Sequence, residues 1–213
     1  MGPVASTAKK LEDLLVRAFM TDPALLEPLN GQQYLVLRPA GRVAEFYESE
    51  QARLKSRLPT SISHPHTGHV TLRGFYEPTR VRELRDAIAA WAARQTPIEV
   101  QVEAVDGFPT PFQIFIARLN RNTALIEAYA GLTAALDVTD FQRIGELPLE
   151  QWVFHVSLIY CGALSNSDWE AAHEKHARDV RPRPSEVLTE AEFVWYENGT
   201  EHAETITLSG NSR

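Results

Sequence analysis

Cysteine is nearly absent from this 213-residue chain. Cys161 stands alone, which excludes an intrachain disulfide and a cysteine-based zinc site and fits a reducing, cytoplasmic setting. Long apolar runs are missing as well. None approaches the ~20 residues that span a bilayer, and no basic stretch leads into an apolar core near the N-terminus. Neither a membrane partner nor a signal peptide is therefore expected. Positive charge is in deficit, with 21 Lys and Arg against 28 Asp and Glu, a formal net charge of -7. A long polyanion is repelled by such a chain unless a local basic patch compensates. Duplex DNA is thus not an expected partner, whereas a small or end-directed phosphate remains open. Glycine-rich nucleotide motifs are lacking, and so is the Gly-x-Ser-x-Gly elbow of serine hydrolases.

What is present is ordinary globular composition, 44% hydrophobic and 23% charged. Leu11, Leu14, Leu15, Ala18 and Phe19 recur at helical spacing, so residues 1–30 read as an N-terminal helical extension. A strand over Tyr34–Leu37 follows, then a helix through Ala44, Tyr47, Gln51 and Leu54. His69–Phe75 reads as a strand, and Val81, Leu84, Ile88 and Trp91 line a helix that Pro97 ends. Ile98, Val100 and Val102 alternate with polar residues, the period of a half-solvated strand. The order then starts again. Phe112–Leu119 reads as a strand, Leu125, Tyr129, Leu132 and Leu136 as a helix face, 141–150 as a loop and Trp152–Tyr160 as a strand. Ser165 with Asp168 forms a capping box for a helix running to about Val180. Val187–Tyr196 and Thr205–Leu208 close the series as strands around an Asn198-Gly199 hairpin turn.

This ordering predicts an α+β fold, a single body over 31–208 built from lobe repeats at about 34–105 and 112–208, with 209–213 as a tail. Within the repeat, two segments correspond: His69-Val70-Thr71-Leu72 and His155-Val156-Ser157-Leu158. They are 155 − 69 = 86 residues apart, the offset of the repeat itself. Strand side chains alternate between faces. His69 and Thr71 therefore share one face, as do His155 and Ser157, and a pseudo-twofold relation brings the two faces together across a cleft. Two imidazoles suit phosphoryl transfer, one removing a proton and the other supplying one near neutral pH. The two hydroxyls suit the nonbridging phosphate oxygens.

Paired His-hydrophobic-Thr/Ser-hydrophobic motifs in an internal repeat resemble the two-histidine (2H) phosphoesterase superfamily, in particular its 2′-5′ RNA ligase and cyclic phosphodiesterase branch. The resemblance implies a bilobal fold whose antiparallel sheets line a central groove with helices outside. It implies catalytic His69 and His155, phosphate-binding Thr71 and Ser157, and no metal or other cofactor. The substrate it implies is a nucleotide or RNA-end phosphodiester, with hydrolysis of a 2′,3′-cyclic phosphate or a 2′-5′ linkage as the reaction. Reversible 2′-5′ RNA ligation, or binding of an RNA end or cyclic nucleotide without turnover, stays open. The sequence leaves the oligomeric state undetermined, with a monomer expected.

Several further residues are candidates of a weaker kind. Arg73 shares the face of His69 and Thr71 if its strand stays regular, and is a possible substrate contact, as is His66 in the turn before His69. His64, His66 and His69 do not space as a metal site, and His173 with His176 reads as a solvated helix face. Arg181 and Arg183 read as a solvated loop. Phe108, Phe112 and Phe115 read mainly as core with one stacking surface among them, and Cys161 as packing.

Overall fold

The computed structural model of the chain describes residues 18–59 and 62–210. Most of the expected N-terminal helix lies outside them. Ala18 and Phe19 are not helical, and Met20 pairs with His66 in a β-bridge.

Ten strands and four α-helices follow among the described residues. They run β1 (Gln32–Leu37), α1 (Arg42–Lys55), β2 (Val70–Tyr76), α2 (Val81–Ala92), β3 (Ile98–Phe108), β4 (Ile114–Leu119) and α3 (Thr123–Leu136). After these come β5 (Arg143–Ile144), β6 (His155–Tyr160), α4 (Asn166–His176), β7 (Arg178–Asp179), β8 (Ser185–Leu188), β9 (Glu190–Glu197) and β10 (Thr200–Thr207). The class is α+β, and every strand pairing is antiparallel.

Strand order is β10-β9-β1-β2-β6-β4-β3-β7, with β5 on β2 and β8 on β3. The sheet has a narrow waist, since β2 and β6 pair only at Val70 opposite Val156. Beyond that pair β2 takes β5 as its neighbour, through Gly74–Ile144 and Phe75–Arg143. Two half-sheets therefore meet at one point, β10-β9-β1-β2-β5 on one side and β6-β4-β3-β7/β8 on the other.

The halves are not two contiguous stretches of chain. β3 ends the first repeat but pairs with β4 of the second, because the short link 109–113 closes a hairpin. β9 and β10 end the second repeat but pair beside β1. The expected strand Val187–Tyr196 is split at Thr189, where the chain leaves β3 and crosses to β1. The expected helix to Val180 stops at His176, because Arg178 and Asp179 pair with Val105 and Ala104 of β3. Its start is as expected, with Ser165 Oγ accepting from the Asp168 amide. The core lies between helices and the outer sheet faces, with Leu35, Leu72, Val102, Ala117 and Leu158 packed against Leu84, Ile88, Leu125 and Leu132. No helix among the described residues is long and apolar enough to cross a membrane.

Candidate active site

The waist of the sheet falls inside the two sequence motifs. Antiparallel pairing of Val70 with Val156 buries both valines and sets His69 across from Ser157 and Thr71 across from His155. The two histidines then stand on a diagonal, a relation in which residues are about 7–8 Å apart and their Cβ atoms somewhat closer. His69, Thr71, His155 and Ser157 all line a single cavity of about 280 Å³, and His66 joins them.

Both rings are held in the same manner. His69 Nδ1 donates to the Thr67 carbonyl at 2.8 Å, and His155 Nδ1 donates to the Val153 carbonyl at 2.8 Å. A carbonyl only accepts, so each neutral ring carries its proton on Nδ1 and keeps a lone pair on Nε2. An aromatic ring packs edge-on against each, Phe19 on His69 at 5.3 Å and Phe108 on His155 at 4.9 Å between centroids.

Burial disfavours the charged ring in both cases. His69 is pushed down to about 4, with its carbonyl partner opposing and His66, Arg38 and His155 adding to the fall. His155 is lowered by burial against the pull of the Val153 carbonyl. Tyr160 lies beside the Ser157 hydroxyl, and burial raises its phenol.

Arg73 is not in the cavity. Leu35 pairs with Arg73 and Val36 with Thr71, so Leu72 is an extra residue, a bulge that interrupts the alternation. Arg73 is thereby turned to the opposite face, where it is wholly buried. There its guanidinium meets Glu146 at 2.5 Å, Thr133 Oγ1 at 2.7 Å and Tyr129 Oη at 3.0 Å. Pairing of Phe115 with Ile159 and Ile116 with Ser157 places the same bulge at Leu158 in β6. Its offset is 158 − 72 = 86, so the distortion belongs to the repeat.

After each bulge the next residue facing the cavity is Gly74 in one half and Tyr160 in the other. Tyr34 on β1 pairs with Gly74 and lies over it, since a Cβ there would sit 3.2 Å from its ring. Tyr34, Tyr160 and Phe19 line the cavity without having been singled out in the sequence. The bulge hides Tyr160 from simple alternation, and Phe19 reaches the site through bonds to Thr67 and Glu201 far along the chain.

The remaining candidates divide. His64 abuts Lys55 and, with His66, borders a neighbouring cavity of about 480 Å³. Among the described residues no three His, Cys, Asp or Glu side chains gather as a metal-binding group. His173 and His176 are not a solvated face. The first bonds Asp106 at 3.0 Å and the second is buried against Phe115, because α4 lays this face on β3 and β4. Phe115 and Cys161 are core, Phe112 is exposed, and Arg181 and Arg183 lie in an exposed loop.

Residues 41–200 match the family model of the 2′-5′ RNA ligase superfamily. Among solved structures, TT0787 of Thermus thermophilus is similar at 14% identity and a TM-score of 0.63, over 85% of this chain and 100% of that one. A protein described as a phosphoesterase is similar at 15% identity and a TM-score of 0.54, over 84% and 99%. E. coli LigT complexed with 3′-AMP is similar at 14% identity and a TM-score of 0.53, over 84% and 98%. At these identities the likeness is one of fold, and no curated protein matches significantly. With the family model covering well over half of its length, the chain belongs to the 2′-5′ RNA ligase superfamily of two-histidine phosphoesterases.

Proposed function

We propose that the protein is a metal-independent phosphoesterase that opens 2′,3′-cyclic phosphates of nucleotides or RNA ends to 2′-phosphates. One observation carries this reading: two histidines with Nδ1 tied to backbone carbonyls and Nε2 left for one small cavity that also holds two hydroxyls. In this reading His69 is the base, because His66 and Arg38 add to burial in keeping it neutral, whereas burial alone lowers His155. His69 Nε2 takes a proton from water as its oxygen bonds to phosphorus. The bond from phosphorus to the 3′ oxygen breaks, and His155 Nε2–H protonates that oxygen. Thr71 and Ser157 donate to the nonbridging oxygens, each donor contributing on the order of 3 kcal/mol to lowering the barrier. LigT complexed with 3′-AMP offers a fold relative that binds a nucleotide, which supports the substrate class.

The test is turnover of 2′,3′-cyclic nucleotides in EDTA. Formation of the 2′-phosphate is expected, with His69→Ala and His155→Ala each slower by about 10²–10⁴-fold. Full activity in either variant contradicts the reading.

A further inference from the structure

The cavity lining is of two kinds: the imidazoles and hydroxyls, and beside them an apolar wall of Phe19, Met20, Val36, Val194 and Tyr196, a hydrophobic cluster separate from the main core in which Phe19 packs on His69. No Lys or Arg is among the described residues lining it. Arg38 stacks on Phe19 at 3.6 Å and borders the neighbouring cavity instead.

Part of this wall is a short strap, residues 18–20, fastened on both edges. The amides of Phe19 and Met20 donate to the two oxygens of Glu201 on β10, at 2.6 and 2.7 Å, and Tyr196 Oη donates to the same carboxylate. On the other edge the Thr67 amide donates to the Phe19 carbonyl at 2.8 Å, and Thr67 Oγ1 donates to the Ala18 carbonyl at 3.0 Å. Thr67 is also the residue whose carbonyl anchors His69.

We infer that this strap sets substrate size: the site takes a single nucleoside cyclic phosphate, or a comparably small cyclic phosphodiester with one compact aromatic group, and rejects an RNA strand. The inference rests on the hydrolytic reading above and narrows it. A volume of about 280 Å³ lies just below the usual range of small-ligand pockets, about 300–1,000 Å³. A strand needs a cationic groove along its backbone with successive stacking surfaces, and among the described residues lining this cavity there is an apolar wall and no Lys or Arg.

The experiment compares adenosine 2′,3′-cyclic phosphate with a short RNA ending in 2′,3′-cyclic phosphate. It reads kcat/KM for both and, by calorimetry, Kd for the two 2′-phosphate products. Wild type is expected to favour the mononucleotide by about 100-fold, the scale on which a pocket wall discriminates. Glu201→Ala removes the latch, and Phe19→Ala with Met20→Ala removes the wall. Each is expected to cut that ratio about tenfold or more. Equal use of both substrates by wild type, or ratios unmoved in the variants, overturns the inference. Absence of turnover on either substrate, with selective binding in wild type that the variants lose, upholds the strap and contradicts the hydrolytic reading instead.

Discussion

His69 and His155 differ in electrostatic setting although their sequences and anchors match. A productive enzyme needs one ring neutral and the other protonated. With His69 pushed down to about 4 and His155 below the ordinary 6.5, kcat/KM is expected to peak between pH 4 and 6.5. A bound phosphate anion favours the protonated rings, so kcat peaks at higher pH than kcat/KM. Coincident optima above pH 7 would contradict the assignment. The same shift bears on stability. Below pH 6.5 the unfolded chain binds a proton at His69 that the folded chain refuses until about pH 4. The folded state is thus weakened as pH falls through that window. Denaturant midpoints from pH 7 to 4 measure this, and His69→Gln is expected to flatten the slope. Arg73 belongs with stability rather than catalysis. Glu146→Ala leaves its buried guanidinium short of a counter-charge, at a cost of about 3–5 kcal/mol. Denaturant melts read that cost, and kcat/KM of the folded protein is expected to hold.

The strands and helices show which features were legible in the sequence. Alternation at Ile98, Val100 and Val102, the α2 face at Leu84, Ile88 and Trp91, and the Ser165 cap are local patterns, and local patterns survive folding. Asn198-Gly199 is the clearest case. Both residues have positive φ, 53° and 69°, as a type I′ turn requires. Gly199→Ala is expected to cost about 1 kcal/mol by thermal or denaturant unfolding, since alanine resists that φ. An unchanged midpoint would show that the turn is not strained by a side chain. The misses come from pairing partners distant in sequence. The bulges at Leu72 and Leu158 move Arg73 and Ile159 off the cavity face, and simple alternation cannot anticipate an extra residue. The crossing at Thr189 and the early end of α4 follow from which edge of β3 or β1 stands open. The cavity motifs themselves were legible because the repeat printed them twice. Phe19 and Glu201 were not, because their contact spans 182 residues.

At the scale of the whole molecule, two half-sheets built by exchanging β3 and β9–β10 meet only at Val70 and Val156. That exchange ties each half to the other's chain, so the waist is held although one residue pair forms it. The central claim is that the two imidazoles at this waist act on one phosphorus atom as a unit. The most direct measurement is kcat/KM on a 2′,3′-cyclic nucleotide for wild type, His69→Ala, His155→Ala and the double variant. Groups that work as a unit are strongly non-additive, so the double variant is expected to be about as slow as either single one. Two independent losses that multiply in the double variant, or no loss at all, would contradict the claim.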